Sequence, residues 1–177
     1  MSRCHRDNGN GNDLRRRRTE VKGLLDLAEE TFLECLAIRK KYAKADMGQV
    51  ETSLGNFYLR FRNDLKSAER YFQDAIKSYS MFQGERNPRS AYAFDGLART
   101  YLCKANTFKD TLEELDRQES LNGDEENELI TVNSIDDELS TPRDTRNDLI
   151  EQRQHSLYLA YSLAYISAEI RQNALSA

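Results

Sequence analysis

The sequence has no tryptophan, and only two prolines and eight glycines in 177 residues. So little punctuation argues against an all-β fold of short strands and turns and favours long helices. The three cysteines, Cys4, Cys35 and Cys103, are odd in number and far apart, with no C-x-x-C. There is also no N-x-S/T sequon and no apolar leader, so a reducing, intracellular compartment is expected. The two histidines, His5 and His155, belong to no H-E-x-x-H run and have no cysteine pair beside them. Neither a metal site nor a Ser/His/Asp or Cys/His catalytic arrangement is therefore expected. The longest apolar run, Leu157 to Ile166, is interrupted only by Ser162 and is too short to span a bilayer. Carboxylates such as Glu113, Glu114 and Asp116 read as a solvated helix face. The expectation is a chain with no enzymatic activity, no cofactor and no small-molecule substrate.

The formal net charge is −4 and unevenly placed. Residues 1–18, with six Arg and two Asp, carry +4, whereas residues 113–138, with eleven Asp/Glu and one Arg, carry −10. No domain is strongly basic, so nucleic acid is not the expected partner. Residues 1–18 are Asn/Gly-rich without apolar period and are expected to be a disordered basic head. Within it, Arg15–Arg18 is read first as a solvated tail leading into a helix, and second as a polyanion or nuclear-import patch.

What the chain does have is self-similarity. Leu25, Ala28, Phe32 and Cys35 fall at spacings of 3, 4 and 3, and Leu65, Ala68, Phe72 and Ala75 repeat them 40 residues later. Phe108, Thr111 and Leu115 repeat the first two spacings 43 residues further on. Between them, Leu54-Gly55-x-x-Tyr58 and Leu97-Ala98-x-x-Tyr101 are offset by 43. A period in this range marks stacked helix pairs, small residues letting a partner's ring approach. Helices are expected over Thr19 to about Ala43, Asp46 to Arg62 and Leu65 to about Phe82. A fourth runs from Asn87-Pro88 to about Lys104, and a weaker fifth covers Thr107 to Ser120. Asn63-Asp64 should break and re-cap the chain. The domain reading is 1–18 head, 19–120 helical repeats (about two and a half), 121–144 acidic linker and 145–177 C-terminal helix. That last helix carries SLYLAYSLAYISAEI, apolar nearly all round, which asks for burial.

The segments AEETFLECLAIRKK, ETSLGNFYLRFRNDLKSAERYFQDAIKSYSMFQGE and AYAFDGLARTYL resemble the kinesin-light-chain-like class of tetratricopeptide repeats. Within it they resemble the C-terminal repeats of the amyloid-beta precursor protein-binding protein 2 family. The 13-residue step from Gly55 to Ala68, the run from Tyr92 to Leu97 and the tail TVNSIDDELSTP carry that narrower resemblance. It covers roughly residues 28–150 and, because the family's proteins are longer on the N-terminal side, implies a C-terminal fragment or a short isoform. It also implies an all-α solenoid acting as a cytoplasmic adaptor that engages the cytoplasmic tail of amyloid precursor protein and associates with microtubules. Substrate recognition for a cullin-RING ubiquitin ligase, through degron peptides, is implied as well.

In a superhelix of paired helices, the first helix of each pair lines the concave wall. Counted from the two small-residue signatures, its polar positions are Gln49, Thr52, Asn56 and Arg60, then Tyr92, Asp95 and Arg99. Asn56 can bridge a peptide backbone, and Arg60 and Arg99 can take a carboxylate bidentately. These seven are the expected peptide-binding set, while Tyr58, Tyr71, Phe72, Phe94, Leu97 and Tyr101 are expected in the core. Two rivals stand beside this reading: a self-associating domain whose groove is filled by the C-terminal helix, and nucleic-acid contact through the Arg15–Arg18 arm.

Overall fold

The computed structural model describes residues 9–84, 87–122 and 142–176, and these are helical with no strand among them. Five α-helices follow one another: α1 Gly9–Tyr42, α2 Met47–Phe57, α3 Leu65–Gln83, α4 Ser90–Asn122 and α5 Pro142–Leu175. A single 3₁₀ turn, Lys44–Asp46, leads into α2, and a five-residue π turn, Tyr58–Arg62, closes it.

Local chemistry accounts for the boundaries. Asn63 takes the left-handed conformation (φ 52°) that stops a helix. The carboxylate of Asp64 then accepts from the backbone N–H of Lys66 at 3.1 Å and of Ser67 at 3.0 Å, capping α3. Donors on Ser67 hold that carboxyl below its ordinary value. Before α4, the Asn87 side chain accepts from the Arg89 N–H at 2.7 Å.

Three expectations change. Helix α1 begins at Gly9, ten residues ahead of Thr19, with the pairs Asp13–Arg17 and Arg16–Glu20 spaced one turn apart along it. The rest of the basic head, residues 1–8, lies outside the described residues, as do residues 123–141 of the acidic linker. The break expected between Lys104 and Thr107 is absent, and α4 runs through as one helix. Ala105-Asn106 supplies neither Gly nor Pro, Ala105 is buried, and the exposed Thr107 donates its hydroxyl back along the helix to the Cys103 carbonyl at 3.1 Å. Phe108, Thr111 and Leu115 therefore continue α4 instead of opening a new hairpin. Leu24 and Ile38 keep helical spacing with the first signature, and Phe61 keeps it with Leu54 and Phe57, so that spacing predicts packed faces, yet each of the three is at least 60% exposed. α1 is covered only on the side that meets α2, so Leu24 and Ile38 fall outside the contact.

The core is a layered stack in which α3 lies against both α2 and α4. At its centre the Phe72 ring, fully buried, sits between Gly55 of α2 and Gly96 of α4. A β-carbon on Gly55 would come within 2.8 Å of that ring, and one on Gly96 would come closer still. Tyr79 closes on Gly48 in the same way, one end further along. Tyr71 stacks on Tyr58 at 5.3 Å between centroids, and Phe32 meets Phe57 at 5.8 Å.

The 40-residue periodicity also surfaces as polar ties. Tyr58 donates to Glu29 at 2.6 Å, and Arg62 bonds the same carboxylate at 2.6 Å. One repeat later, Tyr101 donates to Glu69 at 2.6 Å and Lys104 pairs with that carboxylate. Burial and the neighbouring carboxylate push the Tyr101 hydroxyl up to about 12, and raise Tyr58 likewise. Burial pushes Glu69 up, but the bonds from Lys104 and Tyr101 outweigh it and leave its carboxyl below the usual value.

Helix α5 runs antiparallel to α4, with Arg146 paired to Asp116 at 2.9 Å near one end and Ser167 donating to the Ala91 carbonyl at 3.1 Å near the other. Its packed seam is Ser156, Ala160, Leu163, Ser167 and Ile170, alternating steps of four and three as a close antiparallel pair requires. The all-round apolar segment is thus buried on one side only. Tyr158, Tyr161 and Tyr165 face outward, each about 70% exposed.

Gly96→Ala will lower stability by about 1–3 kcal/mol, because the ring it meets is boxed in on its other side by Gly55. Gly23→Ala, where nothing lies within 4 Å of the added methyl, will raise it by about 0.5–1 kcal/mol. Thermal denaturation followed by circular dichroism compares the two directly. Equal effects of the same sign would refute the packing assigned to Phe72.

Candidate functional site

Between α2 and α4, on the side away from α3, the structure opens a groove of about 410 Å³. α2 and its π turn supply Ser53, Asn56, Phe57, Arg60 and Phe61; α4 supplies Tyr92, Asp95, Gly96 and Arg99; Phe32 of α1 closes one end. These positions recur once per turn, singly or as adjacent pairs (53, 56/57, 60/61 and 92, 95/96, 99), so each helix presents a single stripe. The π turn matters here. By widening the last turn of α2 it brings both Arg60 and Phe61 onto the groove wall, and this is why Phe61 is exposed.

The groove has an aromatic side and a charged rim. Phe32, Phe57 and Phe61 form a tilted row, with Phe57 and Phe61 5.9 Å apart. Asn56 donates one amide hydrogen to the Thr52 carbonyl at 3.0 Å and keeps its oxygen available. Asp95 is paired with Arg171 of α5, whose guanidinium also lies 5.6 Å from the centre of the Tyr92 ring. Arg60 and Arg99 pair with no carboxylate among the described residues. An aromatic wall with two unpaired guanidiniums can grip an extended chain carrying acidic side chains or a carboxylate next to an apolar residue.

Five of the seven residues expected from the sequence, Asn56, Arg60, Tyr92, Asp95 and Arg99, meet in this one groove. Gln49 does not line it: it is exposed one turn before Ser53, beyond the open space. Thr52 is buried instead, its hydroxyl donating to the Gly48 carbonyl at 2.7 Å in the packing against α3. One residue before Ser53 is about 100° round the helix, enough to turn it from groove to core. Ser53, Phe57, Phe61 and Gly96 were missed because their types read as packing or spacer residues. The involvement of Arg171 depends on how α5 is registered along α4, for which the sequence carries no signal. No residue of α5 lines the groove itself, so the C-terminal helix does not fill it.

Behind the groove, α2 carries a carboxylate the sequence reading passed over. Glu51 is 5% exposed, and one of its oxygens has no hydrogen-bond partner. Burial pushes its carboxyl up, with Asp74 adding to the rise, and Ser78 and Lys40 offset it only in part. Among the described residues no group of His, Cys, Asp and Glu is gathered as metal ligands would be, and no helix is long and apolar enough to cross a membrane.

A carboxyl raised in the folded state binds its proton more tightly there than when unfolded. Its contribution therefore favours the fold most below the ordinary value of 4.5 and is lost as pH rises through the higher folded value. Glu51→Gln will accordingly raise the melting temperature at pH 7 and bring no gain near pH 4. A Glu51→Gln protein that melts below wild type at pH 7 would show the charge to be satisfied after all.

No family model, no curated protein and no solved structure matches the chain.

Proposed function

We propose that this chain is a non-enzymatic, tetratricopeptide-like scaffold whose α2–α4 groove binds an acidic peptide segment of a partner protein. The observation that carries it is the pair of guanidiniums, Arg60 and Arg99, that have no ion-pair partner among the described residues and line one aromatic-sided groove from two different helices. Basic side chains elsewhere in the stack are engaged, Arg62 with Glu29 and Asp26, Lys104 with Glu69 and Arg171 with Asp95. Two left open on one wall cost solvation if covered, unless the ligand brings carboxylates.

The solenoid part of the proposal is supported by equivalence between successive hairpins. Phe32 and Phe72, 40 residues apart, pack under α2 and α4, and Glu29 and Glu69 bind Tyr58 and Tyr101 in the same manner. On the resemblance to the amyloid-beta precursor protein-binding protein 2 family, the role proposed is that of a cytoplasmic adaptor. Its candidate ligands are the amyloid precursor protein tail and acidic degron peptides, with microtubules and a cullin-RING ligase as larger partners. A second reading is self-association, favoured by one observation: Val21, Leu24, Leu27 and Ile38 leave the outer side of α1 apolar and exposed.

An array of ten-residue acidic peptides, each beside a twin with Gln for Glu and Asn for Asp, tests the groove. Wild type will select acidic members, and Arg60→Ala/Arg99→Ala will bind them at least about tenfold more weakly, charge-assisted bonds contributing about 1.5–3 kcal/mol each. Indifference to the twins, or full binding by the double variant, would remove the proposal. Light scattering of wild type against Leu24→Asp/Leu27→Asp tests the second reading by the mass it reports.

A further inference from the structure

Asp95 and Arg99 stand four residues apart on α4, the spacing at which an aspartate and an arginine on a helix surface ordinarily pair. They do not pair here. Asp95 instead binds Arg171, 76 residues away on α5. Arg171 is held at that place twice, by the carboxylate and by the face of Tyr92, 5.6 Å from its centroid. Both anchors line the groove, whereas Arg171 itself does not. The terminal helix thus ion-pairs with the groove residue Asp95 through Arg171, near the end where α5 meets the start of α4.

We propose that Arg171 is a positioning residue that sets the groove's specificity: by engaging Asp95 it leaves the Arg99 guanidinium free for an acidic ligand. The inference rests on the acidic-peptide reading and adds the device that maintains it. The physical chain is short. With Arg171 present, Asp95 is neutralised by a cation outside the groove, and the wall offers the two charges of Arg60 and Arg99. Without it, Asp95 becomes an uncompensated anion on the same wall and turns to its helix neighbour Arg99. One guanidinium is then consumed and one repulsive charge is added, both working against a carboxylate. An anionic ligand loses most, and a neutral one loses little. α5 therefore acts on selectivity more than on binding as such, and any contact that draws Arg171 away lowers the preference for acidic segments.

The test uses the full chain and, as probe, a fluorescein-labelled acidic ten-residue peptide that wild type selects on the array, with its Gln/Asn twin. Arg171→Ala is expected to weaken the acidic probe by roughly three- to tenfold while leaving the twin within about twofold, the range of one ion pair and one like charge. Adding Asp95→Asn to Arg171→Ala is expected to restore the acidic probe, since the competing anion is gone. A ligand-free readout runs beside it: the Nε–H signal of Arg99 in side-chain NMR spectra will shift toward an ion-paired position in Arg171→Ala and return in the double variant. Unchanged acidic binding by Arg171→Ala, equal loss of acidic and neutral probes, or no rescue by Asp95→Asn would overturn the inference. Those results leave the groove reading standing where wild type still depends on Arg60 and Arg99. Failure of wild type to prefer the acidic probe would overturn both, and the Arg99 signal then reports whether Asp95 was released at all.

Discussion

The Phe72 ring sets the distance between the two helices that form the groove. It fits only because Gly55 and Gly96 present backbone where any other residue would present a side chain, so α2 and α4 close on it from opposite sides. Cores are packed to near-crystalline density, and a ring held on two faces can neither slide nor be traded for a smaller side chain without a cavity. That constraint propagates outward. With α2 and α4 fixed relative to α3, the stripe Ser53–Asn56–Arg60 and the stripe Tyr92–Asp95–Arg99 line the same groove. A methyl group added at either glycine would change the width of the groove before it touched any residue in it.

Around this apolar centre the polar side chains divide by employment. Glu29 and Glu69, each half-buried, take a tyrosine hydroxyl and a basic side chain from the following helix. Partly buried, multiply bonded carboxylates of this kind fix the relative rotation of neighbouring helices better than they add stability, since desolvation offsets much of the attraction. Their use consumes the acids on one side of the stack. On the other side, Asp95 is consumed by α5, and the two arginines of the groove are left over. The groove's charge is therefore a remainder, settled by pairings elsewhere in the fold.

Much of this arrangement could be read in the chain, for identifiable reasons. The 3-4-3 steps around Ala28 and Ala68 located α1 and α3, and Asn63-Asp64 announced the stop and cap between α2 and α3 through chemistry local to two residues. The groove stripe followed from helical periodicity once α2 and α4 were paired, which is why Asn56, Arg60, Tyr92, Asp95 and Arg99 came out together. Thr52 failed because the sequence does not say how far the α3 contact wraps round α2, and 100° of rotation decides between groove and core. The continuity of α4 past Lys104 was hidden because a repeat pattern predicts a turn at that place, whereas the local residues contain no breaker. Arg171 was illegible for a different reason. Its partner lies 76 residues off, and antiparallel helices joined through a long connection do not declare their register.

Electrostatics at long and short range oppose one another in this molecule. The chain as a whole carries −4, and the run 113–138 alone carries −10, so an acidic segment approaching from a distance meets repulsion. Within about 8 Å, the Debye length at physiological ionic strength, only nearby charges count, and there Arg60 and Arg99 dominate. The aromatic row of Phe32, Phe57 and Phe61 supplies attraction that no salt screens. Such a balance penalises ligands that are merely negative, since they collect the repulsion without the contacts. On the function proposed above, it favours segments that place a carboxylate and an apolar side chain together at the spacing of the groove, and selectivity would come from that requirement for both at once.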